Sequence, residues 1–260
     1  MEQDLILLAV AFFSASMLQA ATGIGFGIIA GPVLLLVLNS PAAIQISVLQ
    51  SWLICAVLVP GLRSAVQTDL LKTFAKGSVI GIPLGGLVYF LVSIGLLKFL
   101  AGLTVLGTLF FVLHSHNEGR KRSANGDAEA VSPVTAGPWP LSMGFISGAM
   151  NSSLAMPGPI PAAWMSGAGH AKDRVRATVL ALLLFTYPAA FLLQWFLVGL
   201  EWNTVWLCVG LAPATLLGIM VGRLLVRRVT EEVFRWFLAL VLISTVAGLF
   251  YDSFKPLVEL

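Results

Sequence analysis

The stretch "FISGAMNSSLAMPGPIPAAW", residues 145–164, places Asn151, Ser152 and Ser153 beside Pro157, Pro159 and Pro161 inside an otherwise apolar run. Proline has no amide hydrogen and clashes with the preceding turn, so one continuous helix cannot carry three prolines within five positions. The segment predicts a helix that stops, a short non-helical piece, and a helix that restarts. Its surroundings decide what solvent that break sits in.

Those surroundings are apolar. Of 260 residues, 58% are hydrophobic and 10% charged, and the mean hydropathy is +0.95. A water-facing globule carries about 25% charged residues, so this chain cannot cover itself with a polar exterior. The runs 42–62, 77–97, 99–113, 177–200 and 202–222 approach or exceed the roughly 20 residues that cross a hydrocarbon core. They do not alternate as the strands of a membrane barrel would. The expected class is an all-α polytopic membrane protein of about 8–10 helical segments. Glu2 and Asp4 stand where a signal peptide needs positive charge, so the N-terminal apolar run is expected to be a retained first span.

Cys55 and Cys208 fall in separate apolar runs with no CxxC or Cys/His spacing, which implies packing residues. No metal and no cofactor is expected. A formal charge of +3 is too small for nucleic-acid binding. No H-E-x-x-H occurs, and Ser152 with His170 lacks an orienting third group, so an intramembrane enzyme is disfavoured.

The long polar segment 114–138 lacks hydrophobic periodicity and separates residues 1–113 from 139–260, a linker between two transmembrane halves. The halves match at several points. An offset of 129 lays "TGIGFGIIAGP" (22–32) over "NSSLAMPGPIP" (151–161), pairing Thr22 with Asn151 and Pro32 with Pro161. An offset of 137 lays Gly77, Gly81 and Gly85 over Ala214, Gly218 and Gly222, then Ser93, Lys98 and Phe99 over Thr230, Arg235 and Trp236.

Loop charges add direction. Segments 63–76, 114–138, 169–176 and 223–228 hold Lys and Arg, while 38–42, 92–97 and 199–203 hold none. The positive-inside rule makes the first group cytoplasmic, which puts the linker inside, the N-terminus outside and equivalent loops on opposite faces. The expectation is two inverted-topology repeats meeting near the midplane, as in secondary transporters that work by alternating access.

Residues 5–38 would make a helix of about 51 Å at 1.5 Å per residue, too long for one upright span. Thr22, Gly23, Gly25 and Gly27 mark a break there, matching the one near Asn151. Non-helical backbone is tolerated at membrane depth only when buried in protein or lining a cavity. Restarting helices offer free N–H groups and a positive dipole end. Asp69, Asp173 and Glu201 fall at predicted span ends, leaving no acidic side chain mid-span. The candidate substrate-binding residues are therefore Thr22, Gly23, Gly25, Gly27, Asn151, Ser152 and Ser153, and the ligand class is a small oxoanion. Gln19, Gln50, His170 and Arg174 are candidates for binding or gating, with His170 a proton carrier if transport is proton-coupled. The bland alternative is that the hydroxyls bond their own helix carbonyls and the glycines only allow close packing.

Three motifs, "TGIGFGIIAGP", "ISGAMNSS…P" after a linker, and "GSVIGIPLGG" against "GLAPATLLGIMVG", resemble the sulfite exporter TauE/SafE family over nearly the whole chain. That family's G-x-G-G-G run survives loosely at Gly23, Gly25 and Gly27, and "NSSLAMPG" replaces it in the second half. The resemblance implies a bacterial inner-membrane exporter of sulfite, sulfoacetate or related organosulfonates. Its partners would be a small anionic substrate, a coupling proton or counter-ion and the lipid bilayer. A passive anion channel, or a non-transporting membrane partner protein, is the alternative.

Overall fold

The computed structural model describes residues 2–108 and 137–225. Its elements are helical throughout: α1 (Glu2–Thr22), α2 (Phe26–Leu38), α3 (Ala42–Leu58) continued by a 3₁₀ turn (Val59–Ala65), and α4 (Thr68–Leu91). Helix α5 follows (Ile94–Thr108). The second half holds α6 (Pro138–Leu154), α7 (Pro159–Gly167), α8 (Lys172–Val198) and α9 (Trp202–Leu225). Five segments are long and apolar enough to cross a membrane: Leu5–Thr22, Ala42–Ala65, Thr68–Leu91, Lys172–Val198 and Trp202–Leu224. Most of the 114–138 linker and the aligned Thr230, Arg235 and Trp236 lie outside the described residues.

Two boundaries differ from the sequence reading. Lys72 and Lys76 are not in a loop; they sit in the first turns of α4, and Arg174 and Arg176 likewise sit in the first turns of α8. Long basic side chains reach from a helix end toward the interface, so charge does not stop a helix there. The uncharged run 77–97 is also divided, because Val92 turns extended and the Ser93 carbonyl and hydroxyl accept from Leu97 and Leu96, starting α5.

The exterior is apolar and the interior partly polar, the reverse of a soluble protein. Phe196 is 88% exposed, with Phe185, Val79, Leu91, Trp206 and Leu224 also outward, whereas Gln19, Gln50, Asn151 and Gln194 are buried. Only a lipid surround makes that arrangement stable. Trp139 and Trp202, exposed beside helix starts, suit an interface where an amphipathic ring is favoured.

Glycine seams hold the halves together. On α4 a Cβ at Gly77, Gly81 or Gly85 would lie 2.0–2.2 Å from the carbonyl oxygens of Leu141, Phe145 and Ala149 on α6. On α9 a Cβ at Gly218 or Gly222 would lie 2.4–2.5 Å from those of Phe13 and Met17 on α1. Backbones approach this closely only where side chains are missing, and dispersion then substitutes for the absent hydrophobic drive. Ser78 Oγ donates to Gly144 O at 2.9 Å and Ser152 Oγ to Ile82 O at 2.7 Å across the first seam.

The same contacts fix helix directions. Both seams advance together along their two helices, so α4 runs parallel to α6 and α1 parallel to α9. Gln50 reaches Cys208 O and Arg223 reaches Val57 O, so α3 is parallel to α9. Gln45 meets Gly199 O, and Thr178 meets the Gln67 N–H, so α3 is antiparallel to α8. Thus α1, α3 and α9 point one way, and α4, α6 and α8 the other.

Candidate functional site

Helix α1 ends because Gly23 adopts φ +86°, a left-handed conformation that glycine takes without penalty. Its N–H caps the Gln19 carbonyl at 2.8 Å. The Thr22 hydroxyl lies 2.9 Å from Leu18 O and 2.5 Å from Ile24 O, and it accepts the Ile24 N–H. Gln19 then reaches over the gap: its Oε1 accepts the Phe26 N–H at 3.1 Å, capping α2, and its Nε2 lies 3.7 Å from Cys55 Sγ. A buried glutamine thus supplies the cap that no Ser, Asp or Asn provides.

The second break is built alike. Helix α6 ends at Leu154, and Ala155 takes φ +57°. The Ala155 N–H caps Asn151 O at 3.0 Å and the Met156 N–H reaches Met150 O at 3.3 Å. Alanine in this region is disfavoured by about 1–2 kcal/mol. Ser147 Oγ donates to Pro157 O at 2.8 Å, folding the non-helical piece back over the face of α6 that also carries Asn151 one turn later. The two breaks therefore correspond at an offset of 132, which pairs Gln19 with Asn151 and Gly23 with Ala155. The sequence offset of 129 matches hydroxyl to amide and proline to proline, whereas the two caps match at 132.

The breaks touch. A Cβ at Gly27 would lie 1.9 Å from Ala155 O, and one at Gly158 would lie 2.3 Å from Ile24 Cγ2. Between them is a narrow pocket with room for about one water molecule, walled by Gln19, Gly25, Gly27, Ala155, Pro157 and, from α8, Tyr187. In the first turn of α2 the Phe26 N–H is taken by Gln19 Oε1, which leaves the Gly27 and Ile28 N–H groups, of residues that line this space, without internal acceptors. Helix α7 contributes less than the sequence reading expected, because Pro159 and Pro161 stand within its first three positions and have no N–H to give.

Of the expected site residues, Gly25, Gly27 and Gln19 line the pocket, and Gly23 shapes the break beside it. Thr22, Ser152 and Ser153 do not line it. A hydroxyl has one proton to donate, and theirs go to carbonyls, with Ser153 Oγ 2.8 Å from Ala149 O. They hold the breaks and the α4–α6 seam. Asn151 does not line it either, but its side chain is fully buried and neither Nδ2 nor Oδ1 has a hydrogen-bond partner among the described residues. Gln50 donates to Cys208 O at 2.6 Å while its Oε1 stays unpartnered. Buried polar atoms are almost always satisfied, so an open amide next to a helix break calls for an ordered water or a ligand.

His170 and Arg174 lie away from the pocket, in and after the α7–α8 connection. Arg174 is exposed. The His170 ring packs 6.3 Å from that of Trp164, and burial, then the nearby Arg174 charge, lowers its pKa below the usual 6.5. The sequence reading missed Tyr187, which an apolar run hides beside Pro188, and Arg176, which resembled a loop anchor. It also passed over Gln194, whose Nε2 donates to Ser152 O at 2.8 Å while Oε1 lacks a partner.

Residues 7–249 match the family model of the sulfite exporter TauE/SafE. No curated protein and no solved structure matches the chain. The match spans most of the sequence and agrees with the apolar helices and the paired breaks, so the chain belongs to the sulfite exporter TauE/SafE family.

Proposed function

We propose that this protein is a secondary transporter that exports a small sulfur oxoanion or organosulfonate, such as sulfite or sulfoacetate, across the bacterial inner membrane by alternating access. One observation carries the reading: two interrupted helices from opposite halves of the chain meet at a pocket whose edge adjoins the last turn of α6, where the buried Asn151 amide has no partner among the described residues. Such an edge suits an anion with several acceptor oxygens. Its donors would be the Gly27 and Ile28 N–H groups at the start of α2 and Gln19 Nε2 in the pocket wall, joined by Asn151 Nδ2, open in the adjoining last turn of α6. Among the described residues no acidic side chain lines the pocket, which disfavours a cation.

The halves, in this reading, are inverted repeats. Support comes from equivalent helices that run in opposite directions, α1 against α6, α3 against α8 and α4 against α9, and from the exchange in which α1 packs on α9 while α6 packs on α4. Rocking of one half on the other about the touching breaks would open the pocket to each side in turn. The N-terminus is then periplasmic and the 114–138 linker cytoplasmic.

Counterflow in proteoliposomes tests this. Vesicles loaded with unlabelled sulfite should transiently accumulate external radiolabelled sulfite above equilibrium. A channel would only equilibrate the label, and either that result or no uptake of sulfite and sulfonates alike overturns the reading.

A further inference from the structure

Arg176, one turn into α8, lies over the first break. A Cβ at Gly23 would sit 2.9 Å from Arg176 Cγ, so the arginine chain fills the space that this glycine leaves, two residues from Gly25 of the pocket wall. Its Nη2 donates to Ala20 O in the last turn of α1, while its buried Nε has no partner. The guanidinium is within electrostatic reach of Asp173 on its own helix and of Arg223 on α9. Arg223 itself donates to Val57 O, at the end of α3, at 2.5 Å.

A simple helix-end cap explains only part of this. Cations are favoured at helix C-termini, yet a cap needs neither a buried donor left open nor a second arginine nearby. Asp173 answers one of the two arginine charges, which leaves one positive charge beside the break without an anionic partner among these three groups. Guanidinium also offers its donors in a planar fork that matches an oxoanion.

We propose that Arg176 is an anion-binding residue of the first break, selecting doubly over singly charged oxoanions, and that the bound anion takes donors now given to Ala20 O. This inference rests on the transport reading and names the residue that sets its charge preference.

The test measures binding of sulfite and of methanesulfonate, a singly charged analogue, to the purified full-length protein at a pH where sulfite is doubly charged. Arg176→Gln should weaken sulfite by about 10- to 100-fold, the scale of a charge-assisted contact, and methanesulfonate by clearly less. Arg176→Lys should fall between, since it keeps charge without the fork. Lys72→Gln, which removes an exposed charge near the start of α4, should stay within about twofold of wild type. Equal loss of both anions, or sulfite binding unchanged in Arg176→Gln, would overturn the inference and leave the transport reading standing. Should Arg176→Gln fail to fold, the sulfite-to-methanesulfonate ratio of Arg176→Lys decides: a fall supports the proposal and no change defeats it. Absence of binding of either anion by the wild type would defeat both proposals.

Discussion

The contact between the two breaks can be tested at a single glycine. In Gly27→Ala the new Cβ would sit 1.9 Å from Ala155 O, which is 1.5 Å short of the 3.4 Å at which ordinary contact begins. Both partners are backbone held by neighbouring caps, so neither can swing aside as a side chain would. Overpacking of this kind costs about 1–3 kcal/mol, against at most about 1 kcal/mol gained by replacing glycine with alanine in a helix. With that gain subtracted in full the net loss is about 0–2 kcal/mol, which should lower the unfolding midpoint in detergent by up to roughly 8 °C, at about 2–4 °C per kcal/mol. A shift of the breaks by about 1 Å should also weaken sulfite binding by roughly 10- to 100-fold. Two other glycines calibrate the result. Gly31→Ala meets Met156 Cε at 3.5 Å, Ser47 Oγ at 3.7 Å and Leu154 O at 3.8 Å, all ordinary contacts, and Gly210→Ala meets nothing within 4 Å among the described residues. These should be neutral or stabilising by about 0.5–1 kcal/mol. If Gly27→Ala matches them in both stability and binding, the breaks are not packed as described.

Ser152→Ala should destabilise the protein by about 0.6–1.7 kcal/mol through loss of the interhelical bond to Ile82 O, while sulfite affinity changes less than about twofold; thermal unfolding and a binding titration separate the two effects. His170 has a lowered pKa, so below 6.5 the unfolded chain takes up its proton first and stability is lost as the pH falls through the folded value. In His170→Gln the unfolding midpoint, followed without ligand from neutral to mildly acid pH, should decline less steeply than in wild type. A reporter cysteine placed in the 114–138 linker should resist an impermeant thiol reagent added to the periplasmic side, and react after the membrane is opened.

The positions of the breaks were legible because proline clusters and glycine pairs interrupt helices whatever their solvent. The Gly77, Gly81 and Gly85 stripe with its partner at Gly218 and Gly222 was legible for a similar reason, since missing side chains at four-residue spacing imply a close neighbour. What each polar side chain bonds to was not. A serine in an apolar run gives the same signal whether it turns to its own helix, as Ser153 does, or crosses to another, as Ser152 does. Gln19 was readable as polar and buried, but its service as the cap of α2 depends on a fold-back that only tertiary structure supplies. Arg176 was obscured because a basic residue at a helix start is explained in advance by membrane orientation. Only its contact with Ala20 and its packing on Gly23 set it apart from Arg174.

The central claim is that the two broken helices form an anion site whose open amide is Asn151, and Asn151→Leu tests it most directly when affinity and stability are read on one preparation. An unpartnered buried amide costs the empty protein about 1–3 kcal/mol. Leucine of similar size should therefore raise the unfolding midpoint of the ligand-free protein while lowering radiolabelled sulfite binding by about tenfold or more. A variant that loses stability yet binds sulfite as well as wild type would show Asn151 to be a packing residue, and the site would not lie where the breaks meet.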